Sequence, residues 1–201
     1  MKNRQVLMVL IPLVVGSPLA VANPDALALT VDLGSAKQKG DRFSDHDTSA
    51  ALTLGYKLST NWSLNLSYTD FGKAQMTPGF LIADGVAYDF FRDLETKGIG
   101  LAAQYLTDPI LYGWSFGGRL GLMHVDSKMT AVVPDFMDGL LSIEKDSGAT
   151  PTAGLLAAYR LTEQLNLMIS ADYMEPEVQT ASNAAEDIKT TRFALGLKYQ
   201  F

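Results

Sequence analysis

The chain contains no cysteine. That removes disulfides, thiolate chemistry and cysteine-bound zinc together. It also lacks any cluster of Lys and Arg. Its 16 basic residues are scattered among 22 acidic ones, for a formal net charge of −6. Nucleic-acid binding needs grouped cations to meet phosphates, so that class is set aside. Beyond Asn23 there is no apolar run approaching the ~20 residues of a membrane-spanning helix. The bulk composition, 47% hydrophobic with a mean hydropathy of +0.08, is that of an ordinary soluble domain. Any membrane character must therefore lie in the order of the residues. At 201 residues the chain suits one domain with a sizeable core.

The first 22 residues read as a leader rather than as part of the fold. Lys2 and Arg4 make a short positive region, Val6 to Val15 an apolar run broken only by Pro12, and Ala20-Val21-Ala22 a small-x-small cleavage pattern. The apolar run is too short to anchor the chain across a bilayer. Cleavage after Ala22 would leave a mature domain of residues 23–201. It would remove the charges of Lys2 and Arg4, taking the formal net charge from −6 to −8.

What is abundant is strict alternation. Thr191, Phe193, Leu195, Leu197, Tyr199 and Phe201 share one parity, and Arg192, Ala194, Gly196, Lys198 and Gln200 the other. Side chains alternate faces along a strand, so one face is apolar and the other polar or small. Seven more segments repeat the pattern, beginning near Leu27, Ala50, Trp62, Gly98, Trp114, Thr152 and Leu165. Each is close to the ~9–11 residues of a tilted membrane strand. The connections alternate too. Ser59 to Asn61, Thr107 to Gly113 and Thr162 to Gln164 are tight. Lys37 to Asp47, Gly72 to Asp93, Asp126 to Ser147 and Glu175 to Ile188 are long and mostly polar, and are expected to be loops. With both chain ends on the short-turn side, that side is periplasmic and the long connections face outward. Tyr56, Trp62, Tyr105, Trp114, Tyr159, Tyr199 and Phe201 all lie on the apolar parity beside a short turn or a chain end. Aromatic rings collect at a membrane–water interface, whereas a soluble barrel would use them to fill its core. The expected fold is all-β: an eight-stranded antiparallel up-and-down transmembrane β-barrel.

Several stretches resemble a known family. Phe193-Ala194-Leu195-Gly196-Leu197-Lys198-Tyr199-Gln200-Phe201, Tyr56-Lys57-Leu58 and Gly118-Arg119-Leu120-Gly121 look like the eight-stranded outer-membrane barrels typified by the OmpA transmembrane domain. The resemblance spans Asn23 to Phe201 and is specific for architecture, not for one function. It implies residence in a bacterial outer membrane among outer-membrane lipids and lipopolysaccharide. It also implies that Gly196, Tyr199 and Phe201 form a terminal signal for the barrel-assembly machinery. Ala194 departs from that signal, where a polar residue is usual. The periplasmic peptidoglycan-binding domain of OmpA itself is not implied.

An eight-stranded barrel has room inside only for side chains. The inward parity is biased to Gly, Ala and Ser, leaving space for Asp32, Lys57, Gln104, Arg119, Arg160, Asp172, Arg192 and Lys198. Counted from the strand ends, Asp32, Arg119 and Asp172 fall near mid-height. A buried guanidinium must be paired, so Arg119 is expected to pair with Asp32, Asp172 or both. This cluster reads either as a satisfied polar plug or as the gate of a narrow pore.

Catalytic and metal-binding constellations are weak. Some eight-stranded barrels modify lipid A, and the deacylases among them use an outward His and Ser on neighbouring alternate positions. His124 and Asp126 lie on the lipid-facing parity, but Ser127 is on the wrong one. His46 between Asp45 and Asp47 offers ligand types for a metal but reads as a solvated loop. Neither a cofactor nor a resident metal is expected. Two apolar stretches in the long connections, Phe80-Leu81-Ile82 with Phe90-Phe91 and Val132 to Met137 with Leu140-Leu141, would contact a partner or lipopolysaccharide, or fold over the barrel mouth. The favoured function is a structural or surface-interaction barrel without catalysis, acting through its outer loops. A low-conductance pore is the alternative, and a lipid-modifying enzyme comes third.

Overall fold

The computed structural model describes residues 26–40, 43–75, 79–83, 86–110, 112–132, 140–179 and 185–201. Residues 1–22, expected to be a leader, lie outside them. The strands are β1 (Leu27–Lys39), β2 (Ser44–Lys57), β3 (Trp62–Gln75), β4 (Gly79–Ala83), β5 (Val86–Leu106), β6 (Trp114–Val132), β7 (Leu140–Arg160), β8 (Leu165–Met174), β9 (Glu177–Gln179), β10 (Ala185–Asp187) and β11 (Lys189–Gln200). Eight of them form the wall. The order β3-β2-β1-β11-β8-β7-β6-β5 closes because β3 also pairs with β5, and every pairing is antiparallel. β4 folds back on the outer half of β5, and β9 pairs with β10 as a small separate hairpin. All eight segments of alternating sequence are wall strands, and the three tight connections are turns.

The long connections differ from expectation. β5 and β7 each run 21 residues, about twice what a bilayer needs. Lys37–Lys39 pairs with Ser44–His46, Lys73–Gln75 with Asp93–Glu95, and Asp126–Ala131 with Ser142–Ser147. Much of each outer connection is thus strand, and the barrel wall continues beyond the membrane. The reason is a reversal of facing. Along β5, Ile99, Leu101 and Tyr105 are exposed on the outside while Gly98, Gly100 and Gln104 are buried inside. Two residues further out, Lys97 and Glu95 stand on the outside and Thr96 and Leu94 are buried within. β6 does the same: Leu120 and Leu122 face out in the lower part, then Asp126 and Lys128 face out while Val125 and Met129 face in. The lower half meets lipid and the upper half meets water, so the apolar side changes face while the backbone alternation continues. A search for apolar-outward alternation stops at this reversal.

Aromatic residues bound the lipid-facing zone. On the short-turn side the Trp62 and Tyr105 rings lie 5.2 Å apart, Trp114 and Tyr159 5.1 Å, and Tyr199 and Phe201 5.2 Å. Tyr68, Tyr173 and Phe193 are exposed at the opposite edge, just below the charged rim. These facings predict that Leu120→Arg, on the lipid face, destabilises the barrel by about 2–4 kcal/mol. Lys128→Gln, above the reversal, should change stability by less than about 0.5 kcal/mol. Urea unfolding from lipid vesicles measures both.

Candidate functional site

The lumen is filled in layers. At its centre lies a chain of four charges carried by β6, β8, β11 and β1. Arg119 Nε donates to Asp172 Oδ1 at 2.7 Å, and its Nη2 pairs with Asp172 Oδ2. The Asp172 carboxylate also accepts from Ser170 Oγ at 3.2 Å and stands 3.9 Å from Arg192 Nη1. Arg192 in turn pairs with Asp32 through Nη2 and donates from Nε to Ser49 Oγ at 2.9 Å. Arg192 is 2% exposed and Asp32 8%. Such burial is tolerable only because each charge has a partner and most remaining donors and acceptors are engaged.

Strand register explains the geometry. Arg119 lies opposite Gly154, Gly154 opposite Asp172, and Asp172 opposite Arg192, one row across four strands. Gly154 is the gap in that row: a Cβ there would collide with Asp172 Oδ1. The small residue on β7 lets Arg119 reach over to β8. Arg119 therefore meets Asp172, one of the two partners expected of it. Asp32 is held instead by Arg192, which counting from strand ends does not place at the centre. The hydrogen-bonded rows of a barrel are tilted, so residue number along a strand is a poor measure of height.

The remaining inward charges do not join this group. Lys57, Arg160 and Lys198 line a separate cavity of about 180 Å³ at the short-turn mouth. Between the two groups lie Leu156, Ala158 and Met168 packed together, and Asn65 Nδ2 donating to Gln104 Oε1 at 2.8 Å. Above the central charges is a small chamber of about 50 Å³, lined by all four of them and by Phe71 and Met123. Ala36, Phe71, Met123, Val125 and Met174 pack next. Above them Thr96 Oγ1 donates to Gln38 Oε1 at 2.9 Å, with Phe43, Ala74, Leu94 and Ile188 packed as a further apolar group. Those two apolar layers lie in segments expected to be loops or their flanks, where no apolar-outward alternation marks them.

Residues 6–201 match the family model described as outer membrane protein beta-barrel domain. The chain belongs to that family. Its members place it in the bacterial outer membrane. This outer-membrane barrel is similar in fold to Neisserial surface protein A (TM-score 0.58, 16% identity, covering 88% of this chain and 97% of that one). It is also similar to OprG from Pseudomonas aeruginosa (TM-score 0.52, 16% identity, covering 88% and 96%). Ail of Yersinia pestis, in complex with the heparin analogue sucrose octasulfate, aligns at a TM-score of 0.50 with 16% identity, covering 87% and 99%. No curated protein matches the sequence.

The terminal residues of the barrel are ordered by its closure. Gly196 faces Asp32 across the β1–β11 seam, where a Cβ would lie 2.5 Å from that of Asp32. Tyr199 donates to Gln164 Oε1 at 3.3 Å, and Phe201 N donates to Leu27 O at 3.1 Å. His124 Nε2 lies 3.8 Å from Asp126 Oδ1, both well exposed, while Ser127 is buried on the opposite face. A hydroxyl separated from its imidazole by the barrel wall cannot be activated by it. Asp45 and Asp47 serve the backbone. β2 stops pairing with β3 beyond Ala50–Asp70, where Gly72 takes a left-handed φ of 78° in a bulge. Asp47 Oδ2 then accepts from Lys73 N at 2.6 Å and Asp45 Oδ2 from Gln75 N at 2.7 Å. The two carboxylates replace the missing ladder, and His46 points outward. Residues 133–139 of the second apolar stretch lie outside the described residues. Phe80-Leu81-Ile82 belong to β4, and Phe91 is exposed.

The outer rim carries opposed charges. Lys97 Nζ is 2.7 Å from Glu95 Oε1 and 3.5 Å from Asp70 Oδ2. The hydrogen bond from Lys97 holds the Glu95 carboxyl below its ordinary value, and the same bond raises the Lys97 ammonium. Glu95 therefore steadies the rim above the ordinary carboxylate range, and that support is lost as pH falls through its lowered value. Lys97 acts in the other direction, its support being lost only as pH rises through its raised value. Amide exchange in the β3–β5 rim should quicken at both extremes, and Lys97→Met should flatten the acid limb. At the centre, Gly154→Ala should displace Asp172 from Arg119 and cost about 1–3 kcal/mol in unfolding free energy, the usual range for overpacking.

Proposed function

We propose that this barrel is a non-conducting surface-interaction protein of the outer membrane, working through its outer rim. The observation that carries this reading is the sequence of layers in the lumen. The central charge chain and the two apolar groups above it lie one after another along any water path. An ion crossing them would have to displace paired charges and then pass a dry zone of Phe, Met, Val and Leu side chains, which is costly.

The other support is the effort built into the rim. Its strands extend well past the bilayer, which positions the outermost connections on a rigid scaffold. The outside of that rim is charged. Lys37, Lys39, Lys73, Asp126, Lys128 and Lys189 are all exposed on it. Lys39 lies directly opposite Lys189, and Lys37 opposite His46. Phosphorylated sugars of lipopolysaccharide would neutralise the facing lysines Lys39 and Lys189, the second of which also lies 3.7 Å from Glu175 Oε1. An extracellular polyanion would meet the same groups; Ail, a structural neighbour, is known in complex with the heparin analogue sucrose octasulfate. Delivery to the membrane would use the terminal Gly196, Tyr199 and Phe201 as the signal for the assembly machinery. No catalytic role is assigned, since the one His and hydroxyl pairing considered is divided by the wall.

Planar-bilayer recording tests the reading. The inserted, folded barrel should give no steady openings at neutral pH, and Phe71→Ala with Met123→Ala should create a small leak. Steady conductance in the unaltered barrel that changes on replacing Arg119 with Gln would establish the alternative, a narrow pore gated by the central charges.

A further inference from the structure

We propose that the cavity at the periplasmic mouth is a binding site for a single phosphate group, held by Lys57, Arg160 and Lys198. The inference starts from a contrast within one lumen. At the centre every guanidinium faces a carboxylate. At the mouth three cations line one cavity of about 180 Å³. Among the described residues, none of the three has a carboxylate within 4 Å. Among the described residues the one carboxylate lining the cavity is Asp108, which accepts a hydrogen bond from Asn61 Nδ2 at 3.2 Å.

The cations are set by register and not by chance extension into solvent. Arg160 lies opposite Asn166, and Asn166 opposite Lys198, so the three form one inward row across β7, β8 and β11. Lys57 enters from β2, opposite Ser63. Lys198 is only half-exposed, whereas Lys57 and Arg160 lie at the open end. The row and Lys57 together present a guanidinium fork, two ammonium groups and the Asn166 amide to one space. Three like charges around a confined cavity repel one another, and that repulsion is relieved when an anion sits between them. Arg supplies the planar fork that suits a phosphate oxygen pair, and Lys supplies point charges.

Size and access narrow the ligand. Water takes about 30 Å³ per molecule, so the cavity holds the equivalent of about six waters. That fits one phosphoryl group with a little solvent, any larger remainder of the ligand lying outside the mouth. Packed Leu156, Ala158 and Met168 narrow the way inward to a cavity of about 20 Å³ that Lys198 shares with Asp32 and Arg119, too small for a phosphate to pass. The ligand therefore enters from the periplasmic side, either as free phosphate or as the headgroup of an inner-leaflet lipid bending over the turns.

The test is titration of inorganic phosphate into the barrel, extracted into a maltoside detergent, followed by phosphorus NMR line broadening and calorimetry. One saturable site per chain is expected. Arg160→Gln with Lys198→Gln should weaken it at least tenfold. Lys97→Gln with Lys145→Gln, which removes the same two charges from the far end of the barrel, should leave it unchanged. If the row variants do not fold, Lys57→Gln at the open end should still weaken binding several-fold with an unaltered unfolding midpoint. Repeating the titration in phosphatidylglycerol nanodiscs separates the sources. Retained binding points to free phosphate. Loss of the free-phosphate site there, with full binding in detergent, points to a lipid headgroup already seated. Absence of saturable binding in detergent overturns the proposal. So does equal weakening by the two pairs of substitutions, which would reduce the effect to overall charge.

Discussion

The chain of buried charges from Arg119 through Asp172 and Arg192 to Asp32 is the constraint around which this barrel is arranged. Two carboxylates and two guanidiniums lie where no bulk water reaches most of their surface. Isolated, each would be unaffordable in a low-dielectric interior; linked end to end, each sees an opposite charge on at least one side. Much of the wall can be understood as what that chain needs. Gly154 leaves the opening through which Arg119 crosses a strand, Gly196 lets β11 approach Asp32, and Ser49 and Ser170 occupy donors and acceptors left over by the pairs. Because the four residues sit on four strands, the chain also joins β1 to β6 across the closing seam between β1 and β11.

The second organising fact is the medium outside the wall. A strand alternates its side chains regardless of surroundings, but which face must be apolar depends on what lies beyond. Between Lys97 and Ile99 on β5, and between His124 and Asp126 on β6, lipid gives way to water and the apolar residues change sides. Below that level the core is polar and the surface greasy; above it the barrel has the inside-out relation of a soluble one. The two apolar layers in the upper lumen follow directly from this. They turn what would be an open mouth into a packed interior.

The architecture was legible in the sequence because the lower half obeys one simple rule. Alternation at Leu27–Gly34, Trp62–Thr69 and Thr191–Phe201, the short turns and the aromatic belt all point to the same closed sheet. The upper half resembles polar loops in sequence because its alternation has the opposite phase and its outward residues are charged. Arg119 and Asp172 could be paired from facing and burial cost alone. Arg192 could not be placed, since its height depends on the tilt of the hydrogen-bonded rows. That tilt is fixed by long-range pairing such as Arg192 with Ala36 and Asp172, and no local pattern encodes it. The separation of Lys57, Arg160 and Lys198 into their own cavity was hidden for the same reason.

These features support one account of the molecule. In the proposed reading the lumen is a structural interior with a basic cup at one end, and the outer rim is the working surface. Everything rests on the central charges acting as mutual partners and not as independent polar residues. The direct measurement is a double-mutant cycle on Asp32 and Arg192, using Asp32→Leu, Arg192→Met and the pair of changes, with unfolding free energy in lipid vesicles as the readout. Each single change should cost about 3–5 kcal/mol, because it strands a buried charge, and the double change should cost far less than their sum. Strictly additive costs would contradict the account and leave the lumen charges as separate, solvated groups.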